Sequence, residues 1–445
     1  MVDQNAGMDI TPLPDAEAEV VGILQDLIRI DSANFGDGSG PGEIGVADYI
    51  SQRLVEAGVD NERFSTTSDK RAGVIVRVPG SNPDRAPLLV HAHIDVVPAP
   101  GDWEHAPFSG EVADGMVWGR GAVDMKDGVA TMLANLRSWK RNGVQPDRDM
   151  VFVFLPDEEA GGVHGAQWLT EHRRELFEGV TECVGEVGGF SFEVAPDKRL
   201  YLIETAEKGL RWMKLRAKGR AGHGSMLNDN NAVTALAEVL ARIGRHPWPV
   251  RLTETNKRFI YELSDALGID VDPNNQEELV RLLGPVGLMV GATFANSAQP
   301  TMLNAGYKLN VIPESADASI DGRVLPGFEE EFDRTIEELL DGQAEVVEVF
   351  SDIAMETTFD GRTVDTMAAA LRAEDPGAIP VPYVLSGGTD AKQFAKLGIR
   401  AFGFIPLRLP PDLEFSKLFH GVNERVPVDA LTFGTRVMDR FLRAC

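Results

Sequence analysis

Apolar and polar residues follow helical and strand periods in turn over the first half of the chain. Apolar residues at helical spacing predict helices over residues 15–29 and 43–57, and a third over KDGVATMLANLRSWKRNG, which Gly143 is expected to end. The runs AGVIVRV, APLLVHAHI and DMVFVFLP favour strands. This order is typical of an α/β layer fold with a mainly parallel sheet flanked by helices.

A second pattern begins near residue 207. It predicts, in chain order, a strand in KGLRWMKLRAKG, a helix in NAVTALAEVLARIG, two strands in KLNVIPESADASIDGRVLP, a helix in FEEEFDRTIEELL and a strand in AEVVEVF. That β-α-β-β-α-β order defines a ferredoxin-like α+β unit. Residues 248–300 interrupt it and are predicted only to be partly helical. We therefore expect an α/β domain built from residues 1–207 and 353–445, with a ferredoxin-like domain inserted at 208–352.

Length and charge narrow the possible partners. A chain of 445 residues is too long for one compact core and fits two domains. Its formal net charge of −26 repels phosphate backbones and anionic lipid surfaces, so we expect neither a nucleic acid nor a membrane as partner. The sequence carries neither a secretory leader pattern nor a bilayer-spanning apolar run, and two cysteines cannot form a disulfide framework. We therefore expect a cytoplasmic protein.

The stretch PLLVHAHIDVVP places three titratable groups in an apolar run. His91, His93 and Asp95 occupy every second position, so a strand directs all three to one face. His91 lies earlier in the strand and is expected to be a hydrogen-bonded structural histidine. His93 and Asp95 lie at the carboxyl end, where functional groups of open α/β sheets gather.

Three further stretches place acids at predicted strand ends or helix starts. The complete set is His93, Asp95, Asp124, Asp157, Glu158, Glu159 and Glu186. Taken singly, these residues could be core histidines, a helix cap, a solvated loop and a surface turn residue. A metal cluster at one edge of the sheet explains all of them by a single cause.

Histidine with carboxylates, in the absence of thiolates, is the ligand set of a hydrolytic zinc site or of a related divalent ion. An Asp two residues beyond a ligating His suits the role of accepting the other ring N–H, which here would be the role of Asp95. Glu158 and Glu159 are adjacent, so one of them can ligate while the other acts as a general base.

Nine motifs occur in a fixed order: HAHIDVVP, GRGAVDMKDG, LPDEEAGG, GEVGG, GHGSM, NVIPE, DGRVLPG, SGGTDAKQF and LFHGVNERV. They resemble those of the co-catalytic zinc metallopeptidases, a family that includes aminoacylase, glutamate carboxypeptidase, Gly-X carboxypeptidase and succinyl-diaminopimelate desuccinylase. The resemblance runs from about residue 15 to the C-terminus and is greatest to the aminoacylase and Gly-X carboxypeptidase branch. It implies a zinc-peptidase-like α/β domain whose inserted domain serves as a lid or for dimerisation.

The resemblance also implies two Zn²⁺ ions, for which Co²⁺ or Mn²⁺ could substitute. His93 and Glu186 would hold one ion, Glu159 and His420 the other, and Asp124 would bridge the two. Asp95 is implied as the residue that orients the His93 ring. Glu158 is implied as the general base.

Three more residues are implied to bind the substrate. His223 in AGHGS would reach the substrate carbonyl, in dimeric relatives from the opposite subunit, while Asn310 and Arg323 would hold the far end of the substrate. A guanidinium fork matches a carboxylate bidentately, which favours an N-acyl amino acid or short peptide with a free α-carboxylate. Arg323 could equally form a salt bridge within the inserted domain, and Asn310 could cap a strand end. The resemblance further implies a homodimer formed through the inserted domain.

Two other functions remain open from the sequence. A two-histidine, one-carboxylate triad like that of iron oxygenases could be formed by His93, Asp95 and His420. That triad usually sits in an all-β barrel and leaves three of the acids unexplained. A non-catalytic relative that only binds a peptide is the second alternative. Metal content and an assay with N-acyl amino acids and dipeptides would separate these functions.

Overall fold

The computed structural model describes residues 10–66, 68–195 and 198–445. Its α-helices are α1 Pro14–Arg29, α2 Ile44–Glu56, α3 Lys126–Asn142, α4 Ala166–His172, α5 Ala232–Arg245, α6 Glu254–Leu267, α7 Gln276–Leu283, α8 Gly287–Gly291, α9 Glu329–Leu340, α10 Arg362–Glu374, α11 Ala391–Ala395 and α12 Val428–Ala444. In the described ranges no helix is both long and apolar enough to cross a bilayer.

The strands are β1 Glu62–Ser65, β2 Ala72–Val78, β3 Leu88–His93, β4 Glu111–Ala113, β5 Met116–Trp118, β6 Met150–Leu155, β7 Glu182–Gly185, β8 Phe190–Ala195, β9 Lys198–Glu207, β10 Gly209–Lys218, β11 Gly222–His223, β12 Ser297–Ala305, β13 Val311–Ile312, β14 Ser315–Val324, β15 Glu345–Asp352, β16 Met355–Glu356, β17 Ala378–Leu385, β18 Arg400–Gly403 and β19 Arg425–Pro427.

The larger domain is built around a ten-stranded sheet with the order β1-β2-β6-β3-β7-β18-β9-β16, to which β8 and β17 add through β9. Its central strands β6, β3, β7 and β18 are parallel, and antiparallel pairs flank them. Helices α1, α3 and α12 cover one face, and α4 and α11 cover the other. Strands β3 and β6 are buried along their whole length, which explains their continuous apolar character. The expected α/β fold is confirmed.

The inserted domain is a four-stranded antiparallel sheet with the order β12-β14-β10-β15 and with α5 and α9 on one face. The β-α-β-β-α-β order is therefore present, but its second strand is β12, which the sequence did not predict. Pro300 and a run of exposed residues hide the strand pattern of β12. The KLNVI stretch instead forms β13, which pairs with β11 in a separate two-stranded sheet.

The segment between α5 and β12 is helical and lies against the larger domain. Phe259 of α6 is 1% exposed and packs in the core of the larger domain. Thr255 of the same helix donates its backbone N–H to the carboxylate of Glu356, a residue of the larger domain, at 2.8 Å. We propose that residues 1–207 and 353–445 form the larger domain and residues 208–352 the inserted domain. In this division the helical segment belongs to the inserted domain by sequence but packs on the larger domain.

The contacts of α6 predict how two of its aromatic residues differ in importance. Phe259→Ala should lower the free energy of unfolding by about 3–5 kcal/mol, because a buried ring leaves a cavity. Tyr261 in the same helix is 63% exposed, so Tyr261→Ala should change this free energy by about 0.5 kcal/mol or less. Urea denaturation of both variants checks this. Equal losses at the two positions would contradict the packing.

Candidate metal centre

Three neighbouring strands bring candidate ligands to one edge of the central sheet. The sheet order places β6, β3 and β7 side by side, and the three strands are parallel. His93 is the last residue of β3, Glu158 and Glu159 follow β6 in a short 3₁₀ helix, and Glu186 directly follows β7. Since the carboxyl ends of parallel strands share an edge, these four side chains meet there.

Asp124 reaches the same edge by another route. Strand β5, which precedes it, belongs to a separate three-stranded sheet with β4 and β19, so Asp124 does not follow a strand of the central sheet. It lies two residues before α3. His420 comes from the loop before β19 with a φ of 57°, which is a left-handed conformation.

Asp124 lies between two pairs of side chains. Its Oδ1 is 3.0 Å from Nε2 of His93, and its Oδ2 is 3.2 Å from Nε2 of His420. Glu186 Oε2 lies 3.3 Å from His93 Nε2, and Glu159 Oε2 lies 3.2 Å from His420 Nε2. The structure therefore groups His93 with Glu186 and His420 with Glu159, and it puts one oxygen of Asp124 against each group.

The charges of this cluster do not balance. Burial alone would lower the pKa of His93, but Glu186, Asp124 and Asp95 raise it well above its usual value. Hydrogen bonds to Asp124 and Glu159 raise the pKa of His420 to about 10. Burial raises the pKa of Glu159 and of Glu186. Even with both imidazoles charged, they face three carboxylates, those of Asp124, Glu159 and Glu186. A divalent cation would relieve this excess of negative charge.

The donor set fits metal ions. One Nε2–H can serve one acceptor well, yet each of the two imidazole Nε2 atoms faces two carboxylate oxygens. Oε1 of Glu159 is buried and has no hydrogen-bond partner among the described residues. Two overlapping triads bring their ligand atoms within 4.8 Å of one another, one made of His93, Asp124 and Glu159 and the other of His93, Glu158 and Glu186. Nitrogen and oxygen donors without thiolate suit zinc and related divalent ions.

Glu158 is the carboxyl group that belongs to neither imidazole pair. Its backbone N–H donates to Oδ1 of Asp95 at 3.1 Å, which fixes the start of the 3₁₀ helix. Burial, with the neighbouring carboxylate of Glu186, raises the pKa of Glu158 well above its ordinary value. A carboxyl group with a raised pKa is suited to accept a proton as a general base and to return it as an acid.

Asp95 supports the site through two different groups. Its main-chain carbonyl oxygen lies 3.0 Å from Nδ1 of His93, whereas its carboxylate is 3.6 Å away. The carboxylate instead accepts the backbone N–H groups of Glu158 and Glu159, both at 3.1 Å. The ring of His93 is therefore oriented chiefly by the backbone of Asp95, and the carboxylate holds the two glutamates.

The sequence did not single out Glu424, which ties the loops of Asp124 and His420 together. Its buried carboxylate accepts the backbone N–H groups of Gly121, Val123 and Asp124 at 2.8–3.2 Å. Arg120 donates to Glu424 at 2.6 Å and to the carbonyl oxygen of His420 at 3.4 Å. The sequence LFHGVNERV does not show whether Glu424 is buried or exposed. Apart from the match of this motif to the family, nothing in the sequence pointed to the role of Glu424.

The candidate substrate residues lie in the inserted domain and contact none of the candidate ligands in the described structure. His223 on β11 is exposed, with Nδ1 2.8 Å from Ser225 Oγ. Asn310 directly precedes the paired strand β13, and its carbonyl oxygen accepts Gly224 N–H at 2.9 Å. Arg323 on β14 forms a two-point ion pair with Asp321, at 2.8 and 3.2 Å. The structure thus brings His223 and Asn310 together and gives Arg323 the salt bridge that the sequence left open.

His91, His105 and His164 also lie outside the cluster. His91 is buried against Phe394, and burial lowers its pKa to about 3, so it is neutral. Its Nε2 has no hydrogen-bond partner in the described part of the chain, whereas a hydrogen-bonded ring was expected. His105 lies 3.0 Å from Glu111, and His164 lies 3.2 Å from Thr66.

Comparisons with known proteins agree with the motifs. Human N-fatty-acyl-amino acid synthase/hydrolase PM20D1 is 28% identical over 374 residues, which cover 79% of this chain and 73% of the human protein. Mouse aminoacylase-1 is 24% identical over 446 residues, covering 97% of this chain and 96% of the mouse protein.

The fold has close counterparts among solved structures. An M20 family metallo-carboxypeptidase, Sso-CP2 from Sulfolobus solfataricus, superposes with a TM-score of 0.71 at 18% identity, covering 96% of this chain and 98% of that chain. The model of peptidase family M20/M25/M40 matches residues 89–444. The family expected from the sequence motifs is thereby confirmed, and the chain belongs to peptidase family M20/M25/M40.

Proposed function

We propose that the protein hydrolyses the amide bond of an N-acyl amino acid or dipeptide that carries a free α-carboxylate. The observation that carries this proposal is Asp124, which presents one carboxylate oxygen to each of two histidine–glutamate pairs. Such an arrangement suits two divalent ions that share one ligand. The names of the relatives, an aminoacylase and an N-fatty-acyl-amino acid synthase/hydrolase, support this substrate class.

In the proposed mechanism the protein side chains handle the proton. Two divalent ions, held by His93 with Glu186, His420 with Glu159, and Asp124 between them, would polarise the scissile carbonyl and acidify water. Glu158 accepts the proton of the attacking water and passes it to the leaving amine, for which its raised pKa suits it. Asp95 keeps the backbone of Glu158 in place during both transfers.

Zinc is the proposed metal, with Co²⁺ or Mn²⁺ as substitutes. The candidate ligands are imidazole nitrogens and carboxylate oxygens, a set that zinc binds in hydrolytic enzymes. An iron triad of His93, Asp95 and His420 gains no support, because the carboxylate of Asp95 is engaged by two backbone N–H groups. A peptide-binding protein without catalysis gains none either, since Glu158 lies beside the cluster with a raised pKa.

The inserted domain would supply the groups that recognise the substrate. Arg323 would exchange its ion pair with Asp321 for the substrate carboxylate, since the same guanidinium fork fits either. Asn310 would hold the same end of the substrate. The exposed His223 would donate to the oxyanion that forms on the substrate carbonyl, and one such donor contributes on the order of 3 kcal/mol.

A homodimer would bring His223 to the site of a second copy. Strand β15 lies at the edge of the inserted sheet. Its apolar residues are exposed, with Val349 at 56% and Phe350 at 54%. Exposed apolar edge strands pair with other strands unless something covers them. We propose that β15 pairs with its own copy, which would join two inserted domains into one sheet.

The proposed location is the cytoplasm. Cys183 and Cys445 are both free and buried in the structure. Free cysteines fit a reducing compartment, in which a protein of this size needs no disulfide.

Glu158→Gln tests the general base. The variant should bind the same number of metal ions but lose turnover by about 10²–10⁴-fold, because an amide cannot carry the proton. Steady-state hydrolysis of an N-acyl amino acid, with metal analysis of the same sample, checks this, and Glu175→Gln at an exposed glutamate is the control. Near wild-type turnover would rule out Glu158 as the base. Loss of metal would make it a ligand instead.

Val349→Lys tests the dimer. A charge on the edge of β15 should give a monomer by light scattering, and this monomer should keep its metal but lose most of its kcat, because His223 would no longer reach a second site. Val55→Lys is the control, since Val55 is 64% exposed on α2 in the larger domain. A fully active monomer would contradict the role of His223 in the opposite subunit.

A further inference from the structure

A buried polar cluster lies directly behind the candidate metal centre. It consists of Asn34, Glu43, Arg71, Asp95 and Asp157, each no more than 6% exposed. Neither the motifs nor the proposed mechanism gives a role to Asn34 or Arg71. Buried charged groups are costly unless they are paired and hydrogen-bonded, so the pattern of these contacts needs a reason.

Arg71 connects three members of this cluster. Its guanidinium pairs with Glu43, lies 3.4 Å from Asp157 Oδ1, and donates to Oδ1 of Asn34 at 2.9 Å. Gly36 N–H donates to the same Asn34 oxygen at 3.0 Å. Since an arginine has only donors, these two contacts fix which side of the Asn34 amide is oxygen. The NH₂ group of Asn34 must therefore point the other way.

The NH₂ group of Asn34 points at the acids beside the metal centre. It donates to Asp95 Oδ2 at 2.9 Å and to Asp157 Oδ1 at 3.1 Å. Asp95 in turn holds the backbone N–H groups of Glu158 and Glu159. A continuous chain of hydrogen bonds thus runs from Arg71 through Asn34 and Asp95 to the proposed base and to a proposed ligand.

Asp157 provides a second branch of the same chain. It immediately precedes Glu158 and has a φ of 74°, a left-handed conformation that is unfavourable for a side chain with a Cβ. Its carboxylate accepts the N–H of His164 at 3.0 Å in addition to the contacts with Asn34 and Arg71. These contacts hold the turn that directs the next two glutamates into the site.

We propose that Arg71 and Asn34 are positioning residues that aim Glu158 and Glu159 through the carboxylates of Asp95 and Asp157. The inference rests on the proposed function for its catalytic consequence, but its effect on metal binding is independent of the substrate. Hydrogen-bonded partners behind metal ligands typically change metal affinity or activity by 10–100-fold when they are replaced.

The test uses two variants and one matched control in the full chain. Asn34→Asp keeps the size of the side chain but puts a carboxylate against Asp95 and Asp157. Arg71→Lys keeps the charge but loses the fork that reaches Asn34 and Asp157 together. Arg148→Lys is the control, because Arg148 is a similarly buried arginine whose partner Glu182, 2.9 Å away, lies at the opposite end of β7.

Zinc affinity, measured by competition with a chelator, is the primary readout. Asn34→Asp and Arg71→Lys should weaken Zn²⁺ binding by about 10–100-fold. The zinc affinity of Arg148→Lys should stay within about twofold of wild type, even if its melting temperature falls by as much as those of the two test variants. In the hydrolysis assay kcat should fall more than KM rises. If Arg71→Lys does not fold, Asn34→Asp decides alone.

Two results would overturn the inference. One is wild-type zinc affinity in folded Asn34→Asp, and the other is an equal loss of affinity in Arg148→Lys. A wild-type enzyme that binds zinc but hydrolyses no N-acyl amino acid or dipeptide would reject the proposed function, and the zinc affinities of the variants would still decide the roles of Arg71 and Asn34.

Discussion

The close approach of several buried carboxylates at one sheet edge is the constraint on which the rest of the site depends. Asp124, Glu159 and Glu186 converge on two imidazole nitrogens at 3.0–3.3 Å. Acids this close raise one another's pKa and repel unless positive charge lies among them. Among the described residues no lysine or arginine forms an ion pair with these three carboxylates. The backbone N–H groups of Asp124 and Glu159 are instead held by the carboxylates of Glu424 and Asp95. That arrangement fits a site made to receive divalent cations.

Two kinds of support hold these groups. His93 ends the fully buried strand β3, Glu159 lies in the 3₁₀ helix that follows the fully buried β6, and Glu186 directly follows β7. Asp124 and His420 come from loops, and these loops are tied by the buried ion pair of Arg120 and Glu424. The central sheet therefore fixes one histidine–glutamate pair directly. The ion pair of Arg120 and Glu424, with the hydrogen bond from Arg120 to the His420 carbonyl oxygen, holds the loop that brings His420 to Glu159.

Local sequence patterns were sufficient for the elements with strong periodicity and for locating, at the ends of β3, β6 and β7, side chains that the structure brings together. The opening helix and the helix ended by Gly143 differ from their predicted bounds by no more than a residue. Strand β12 was missed because its alternation is broken by Pro300 and exposed residues. The supporting contacts were also missed: Glu424 and Asp124 are 300 residues apart, and Arg71 and Asn34 are 37 apart. Periodicity describes one element at a time and carries no information on such partners.

The count of metal ions per chain tests the central claim most directly. Elemental analysis of the purified protein after dialysis against zinc should give two divalent ions per chain, and Asp124→Ala should lose affinity for both, because Asp124 faces both histidine–glutamate pairs. A single ion per chain in the wild type would contradict the dinuclear site. Retention of two tightly bound ions by Asp124→Ala would contradict the shared role of that carboxylate.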